Sequence, residues 1–229
     1  MSFSAPWLEA RNPCRSAMTK AIASSRRDRN VIHGSRTTAY HEAGHVVASL
    51  LTGHLVHQVQ IGHYSGTLIN RHGQPVVCAG LMDGSLGVAM PAVITATLAS
   101  NPGAKANIIR RAVDNVFLCG AGPAAEARFA RRGWPRTVLA QVWASDGDFA
   151  DALASLEPLV TDPDKRSRLV LSIWEISRRF VARPTVWKAI TALAEELRAN
   201  GGMDCDQIEA SLLGQGLARV PYGQRVLTP

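Results

Sequence analysis

His41-Glu42-Ala43-Gly44-His45 is an H-E-x-x-H sequence, and on a helix that spacing has a chemical use. Residues four apart on an α-helix differ by about 40° around the axis and one turn along it, so both imidazoles point to one side, close enough to share a metal ion. Glu42 lies about 100° around from His41, beside such an ion and not on it. Zinc held there lowers the pKa of water to about 7, and a glutamate so placed can take the proton and pass it to the leaving amine of a peptide bond. The small pair Ala43-Gly44 lets another segment approach closely; glycine costs about 1 kcal/mol of helix propensity, an expense that packing beside a site would explain. The bland alternative is a surface helix with two exposed histidines and a glutamate, but the cap and the apolar flank from Val46 favour a metal site.

A catalytic zinc needs a third protein ligand and an open fourth position. The residues just after His45 do not supply one by the extended H-E-x-x-H-x-x-G-x-x-H pattern, because positions 48 and 51 are Ala and Leu. All seven histidines fall between His33 and His72. His54 and His57 lie past the helix end and read as loop and strand residues, while His33, His63 and His72 read as incidental.

The helix carrying the motif is expected over about 38–52. Thr37 and Thr38 are candidate N-caps, Ala43, Val46, Val47, Leu50 and Leu51 recur at helical spacing, and Gly53 supplies a stop. About 56–62 alternates as a strand, and glycines at 62, 66, 73, 80, 84 and 87 punctuate short extended pieces, with Pro75-Val76-Val77 and Leu86 to Met90 the best candidates. The remainder reads as helix: about 91–100; about 104–131, interrupted or bent near Gly120, Gly122 and Pro123; about 148–156; about 164–181; about 185–199; and about 205–213. The expected class is mainly α with a small β-sheet (α+β), with a basic arm over 1–32, one domain over 33–215 and a tail over 216–229.

Apolar residues make up 46% of the 229, enough to bury a core and to exclude a disordered chain. Lys and Arg outnumber Asp and Glu by 25 to 18, but outside the arm they are scattered, and no zinc-finger, basic-zipper or RNA-recognition pattern is present, so no nucleic-acid partner is expected. Gly84 to Ala104 carries no charge, yet Pro91, Pro102 and its glycines read as a strand, a turn and a core helix, so no membrane span is expected. Cys14, Cys78, Cys119 and Cys205 form no C-x-x-C pair, and neither a disulfide framework nor an apolar secretory h-region is visible; a cytoplasmic location is expected.

The residues around the motif resemble a family. Ala39-Tyr40-His41-Glu42-Ala43-Gly44-His45 looks like the zinc-site helix of the FtsH-type AAA proteases. Val56-His57-Gln58-Val59-Gln60-Ile61 is similar to the family strand that follows, and Ser85-Leu86-Gly87-Val88-Ala89-Met90 to its next strand, where substrate adds as an extra strand. Leu118-Cys119-Gly120 with Ala124-Ala125-Glu126, Ala144-Ser145-Asp146-Gly147-Asp148-Phe149 with Ala152, and the run from Trp187 to Leu213 resemble later family segments, so that the likeness spans about 36–213. It implies a zinc metalloendopeptidase holding one Zn²⁺ through His41, His45 and an aspartate. By position that aspartate is Asp148, with Asp146 the alternative. Glu126 reads either as a group orienting a ligand histidine or as a surface glutamate. Leu86, Gly87, Val88, Ala89 and Met90 are the implied substrate strand.

The chain departs from the family in having no G-x-x-x-x-G-K-[ST] loop and in placing Gly122-Pro123 where the family has Gly-Arg. The implied partners are therefore unfolded or extended polypeptide as substrate, a separate ATPase or adaptor to supply unfolding, and a homo-oligomer. Two rival readings are a catalytically inactive peptide-binding or scaffold domain that keeps the fold, and a basic adaptor recruited through residues 1–32.

Overall fold

The computed structural model describes residues 36–69, 75–84, 91–101, 103, 105–130, 147–218 and 220. All of them lie in the compact unit His33–Pro229. The arm over 1–32, the strand candidate Leu86 to Met90, Asp146, His33 and His72 lie outside the described residues, and so does most of the tail. Among the described residues the elements are helices α1 (Arg36–Leu51), α2 (Pro91–Ser100), α3 (Lys105–Phe129), α4 (Gly147–Leu156), α5 (Pro163–Ala182), α6 (Pro184–Asn200) and α7 (Cys205–Gly214), with strands β1 (Val56–Ile69), β2 (Pro75–Gly84) and β3 (Gly202–Asp204). The protein is mainly helical with a small antiparallel sheet ordered β2-β1-β3.

Helix α1 is the centre of the core. Every residue from Glu42 to Leu51 is buried, as expected of a helix apolar nearly all round. It begins at Arg36, so Thr37 and Thr38 sit in its first turn and do not cap it. At its other end Gly53 has φ +85°, Gly53 N–H donates to the Leu50 carbonyl at 3.2 Å, and His54 N–H donates to that of Ser49 at 2.9 Å. This is the left-handed stop that glycine permits at low cost.

The sheet is longer than its sequence suggests. β1 runs on to Ile69 and β2 to Gly84, through glycines that read as breaks. Those of β1 fall in register shifts, one between Ile61 and Tyr64 where Gly62 has φ +147°, while Gly80 of β2 pairs in register with Ile61. β3 escapes sequence reading because it is three residues long. It pairs Met203 with Val59 inside the core, and its end launches α7 through a capping box between Asp204 and Gln207.

Helix α3 is not interrupted where its glycines and proline suggested an interruption or a bend. It is one continuous helix through Gly120, Gly122 and Pro123. The glycines serve packing. A Cβ on Gly120 would lie 2.7 Å from Ser177 Oγ and from Trp174 Cδ1 on α5. Across the other interface, a Cβ on Gly44 of α1 would lie 2.6 Å from the Ala121 carbonyl oxygen and 2.8 Å from Ala125 Cβ, the close approach that the Ala43-Gly44 pair implies. α5 and α6 each begin with proline at the first turn, where its missing N–H costs nothing, and each buries one apolar stripe. No helix among the described residues is long and apolar enough to cross a membrane.

Candidate metal centre

α1 presents the His41 and His45 rings on one side, with their Nε2 atoms 3.0 Å apart. The first turn of α4 brings in Asp148, whose Oδ2 lies 3.0 Å from His41 Nε2 and 3.2 Å from His45 Nε2. The fold thus brings Asp148, in the first turn of α4, to both rings, while the alternative, Asp146, lies outside the described residues. His41, His45 and Asp148 form a group that can hold a metal ion.

The ring tautomers are set from behind. His45 Nδ1 is 2.8 Å from the Leu118 carbonyl of α3, so it carries the proton and donates. His41 Nδ1 is 3.2 Å from Glu126 Oε2, 85 residues along the chain, and donates to it likewise. Glu126 thus contacts and orients the His41 ring. With both Nδ1 protons committed outward, a neutral ring leaves its Nε2 lone pair for an ion, and without an ion a further proton on Nε2 makes the contact to Asp148. Four donors around a tetrahedral ion with bonds of about 2.1 Å stand ~3.4 Å from one another, and edges of 3.0 to 3.2 Å need only a few tenths of an ångström of relaxation to match.

The electrostatics follow from this convergence. Burial lowers the pKa of His41, but hydrogen bonds to Asp148 and Glu126 and the charge of Asp148 outweigh it and hold the ring well above its usual 6.5. Burial also lowers His45, and the charge and hydrogen bond of Asp148 again prevail, so its pKa is raised. For Asp148 burial acts upward, while the His45 charge and hydrogen bonds to both rings hold the carboxyl well below the usual carboxylate range. Glu42 is buried on α1, and its charge helps to raise both histidines, which places it electrostatically beside the pair.

The surroundings fix the scaffold. Tyr40 stacks on Phe129 with ring centroids 4.1 Å apart, and Arg128 sits 4.3 Å over the Trp187 ring. Contacts of this kind contribute roughly 0.5–1.5 kcal/mol each and clamp the start of α1 to the end of α3 and to α6. His54 is buried, with its pKa lowered first by that burial, and belongs to the core beneath the end of α1. Sequence reasoning missed two partners of the site. The Leu118 carbonyl has no residue-type signature. Gly122 lies so close under His45 that a Cβ there would stand 2.6 Å from the ring's Cε1. A usable signal existed for Gly122: a glycine in α1 calls for a facing helix with small residues at adjacent turns, which Ala121, Gly122 and Ala125 provide. No family model and no curated protein matches the chain.

Proposed function

We propose that the chain is a zinc-dependent endopeptidase acting on unfolded or extended polypeptide. The observation that carries the reading is the approach of Asp148 Oδ2 to both histidine Nε2 atoms, at 3.0 and 3.2 Å, beside a buried glutamate that follows the first histidine. His41, His45 and Asp148 would hold the ion, and three protein ligands leave the open position that a catalytic site keeps and a structural site closes. Two imidazoles and one carboxylate also suit non-haem iron; Glu42 is what favours hydrolysis, because a carboxylate base beside the ion has a use in splitting water and amide.

A bound zinc ion would supply Lewis-acid chemistry, acidifying water and polarising the peptide carbonyl. The chain supplies the rest. Glu42 accepts a proton from the attacking water and delivers it to the leaving amine nitrogen. Glu126 and the Leu118 carbonyl hold the two rings in the tautomer that faces the ion. Leu86 to Met90, which follow β2 in the sequence, are the proposed strand for an extended substrate. An ATPase or adaptor is the proposed source of any substrate unfolding.

The test is elemental analysis of the purified full chain together with cleavage of an unfolded casein, with and without chelator. Glu42→Gln keeps zinc and loses about 10²–10⁴ in turnover, as expected for loss of a general base. His45→Ala and Asp148→Ala lose the metal. Normal turnover in Glu42→Gln removes the base, and a zinc-loaded wild type that cleaves nothing leaves the inactive scaffold as the reading.

A further inference from the structure

One helix that donates no ligand touches the supports of all three. On α3, Asn115, Leu118, Gly122 and Glu126 recur at i, i+3, i+7 and i+11, within a sector of about 80°. Glu126 meets His41, the Leu118 carbonyl meets His45, and Gly122 lies beneath the His45 ring. The fourth position, Asn115, reaches the third ligand indirectly. Its amide Nδ2 donates to Ser155 Oγ on α4, and the Ser155 hydroxyl donates to the Asp151 carbonyl at 2.7 Å. Asn115 and Ser155 are both buried. Ser155 is seven residues beyond Asp148, which puts it about 20° from the same line on the helix surface and nearly two turns along.

We propose that Asn115 is a positioning residue of the metal centre: through Ser155 it sets the rotation and axial register of α4, and so the place of the Asp148 carboxylate. The proposal rests on the metal-binding reading of His41, His45 and Asp148. α4 has only ten residues, and its other buried side chains are Ala152 and Leu156. Apolar burial is non-directional and tolerates a small rotation. A buried hydrogen bond does not, because misaligning it leaves two desolvated polar groups unmet. The lever is long: with side chains reaching about 5 Å from a helix axis, turning α4 by ~10° moves the carboxylate by ~1 Å, against a tolerance of about 0.2 Å for metal ligands. A bond that merely satisfied two core polar groups would carry none of this consequence for the metal.

The test uses the full chain with Asn115→Leu, Ser155→Ala, the double variant and Ser155→Thr, and Ser177→Ala as control. Ser177 makes a comparable buried tie, donating to the Phe117 carbonyl at 2.8 Å, but it links α5 to α3 and does not involve α4. Zn²⁺ affinity is read by competition with a chromophoric chelator, coordination by the visible spectrum of the Co²⁺-loaded protein, and folding by thermal unfolding without metal. Each single variant at 115 or 155 should bind Zn²⁺ about 10–100-fold more weakly and shift the cobalt bands. Ser155→Thr, which keeps the hydroxyl, should retain both properties. The double variant should regain thermal stability, since neither partner is left unmet, without regaining affinity. Ser177→Ala should lose stability and keep wild-type affinity. Folded single variants with wild-type affinity and cobalt spectrum overturn the proposal. So does an affinity loss that follows thermal stability across all variants including Ser177→Ala, or collapse of the fold in both single variants. A wild type that takes up neither Zn²⁺ nor Co²⁺ fails earlier, at the metal-centre reading.

Discussion

Replacing Gly122 by alanine drives a methyl group into the His45 ring. The new Cβ would meet Nε2 first and stand 2.6 Å from Cε1 and 2.7 Å from Cδ2, where carbon atoms settle at about 3.5–4.0 Å. The ring must retreat by ~1 Å, several times the roughly 0.2 Å that a metal-ligand bond tolerates. Its hydrogen bond to the Leu118 carbonyl, one turn earlier on α3, leaves little freedom to do so. The loss of zinc affinity should match that from removing an outer-shell partner, about 10–100-fold or roughly 1.4–2.7 kcal/mol. Stability of the metal-free protein should move less. Alanine gains about 1 kcal/mol of helix propensity, and overpacking costs about 1–3 kcal/mol. Gly120→Ala separates the two effects. It makes the same exchange in the same helix and overpacks comparably, 2.7 Å from Ser177 Oγ and Trp174 Cδ1, yet touches no ligand. Chelator competition for affinity and thermal unfolding for stability should show both variants destabilised to a similar degree and only Gly122→Ala weakened for zinc. Wild-type affinity in Gly122→Ala, or an equal loss in Gly120→Ala, refutes the idea that this glycine makes room for a ligand.

Two further outcomes follow from the charges. In the metal-free protein the folded-state pKa values of His41 and His45 are raised, so their contribution to stability is full below the usual 6.5 and is lost as pH climbs through the raised values; Asp148, held low, contributes above its usual 3.8 and loses its effect only as pH falls through its depressed value. Chelator-treated protein should therefore melt lower as pH rises from 6.5 while zinc affinity grows, and a melting temperature that stays flat or increases over that span contradicts the assignment. Glu126→Gln keeps an acceptor for His41 Nδ1 but removes the charge, so zinc affinity should fall about tenfold, toward the lower end for outer-shell partners, with Glu126→Ala lower still; equal affinity in wild type and both variants would show that the 3.2 Å contact does not tune the ligand.

The relation of His41, Glu42 and His45 was legible because the helix period fixes it locally. Asp148 was not legible from spacing at all. Tertiary packing brings α4 to α1, and only the likeness of the segment around Asp148 to a known family pointed there. The same limit hid Asn115 and Ser155, ordinary polar residues whose pairing exists only once α3 and α4 meet. Glycine misled in both secondary structures. In α3 it read as an interruption or bend, and it serves close approach to His45 and to α5; in β1 and β2 it read as punctuation, and the ladder accommodates it in bulges of β1 and in register at Gly80 of β2. Local propensity carries a penalty for glycine of about 1 kcal/mol, and tertiary contacts of comparable size outweigh it.

A cluster of two histidines and an aspartate can also be held by protons alone, and the arrangement here speaks against that as its purpose. Both Nδ1 protons are spent on Leu118 and Glu126, so without an ion the triangle of two Nε2 atoms and a carboxylate, at 3.0 to 3.2 Å, is held only by the extra protons that the raised pKa values put on the rings. One added proton bridges one edge of that triangle. Two make a pair of imidazolium rings whose mutual repulsion shows in the lowering of His45 by the His41 charge. Meanwhile Asp148, Glu42 and Glu126 bring three carboxylates to one partly buried place, which needs compensating positive charge. A single divalent cation meets all three lone pairs at once, opposes the carboxylates from one point and leaves both outer hydrogen bonds intact. The backbone carbonyl, the glycine and the glutamate of α3 that support the rings are explicable as parts of that arrangement and have little purpose in a proton-bridged one.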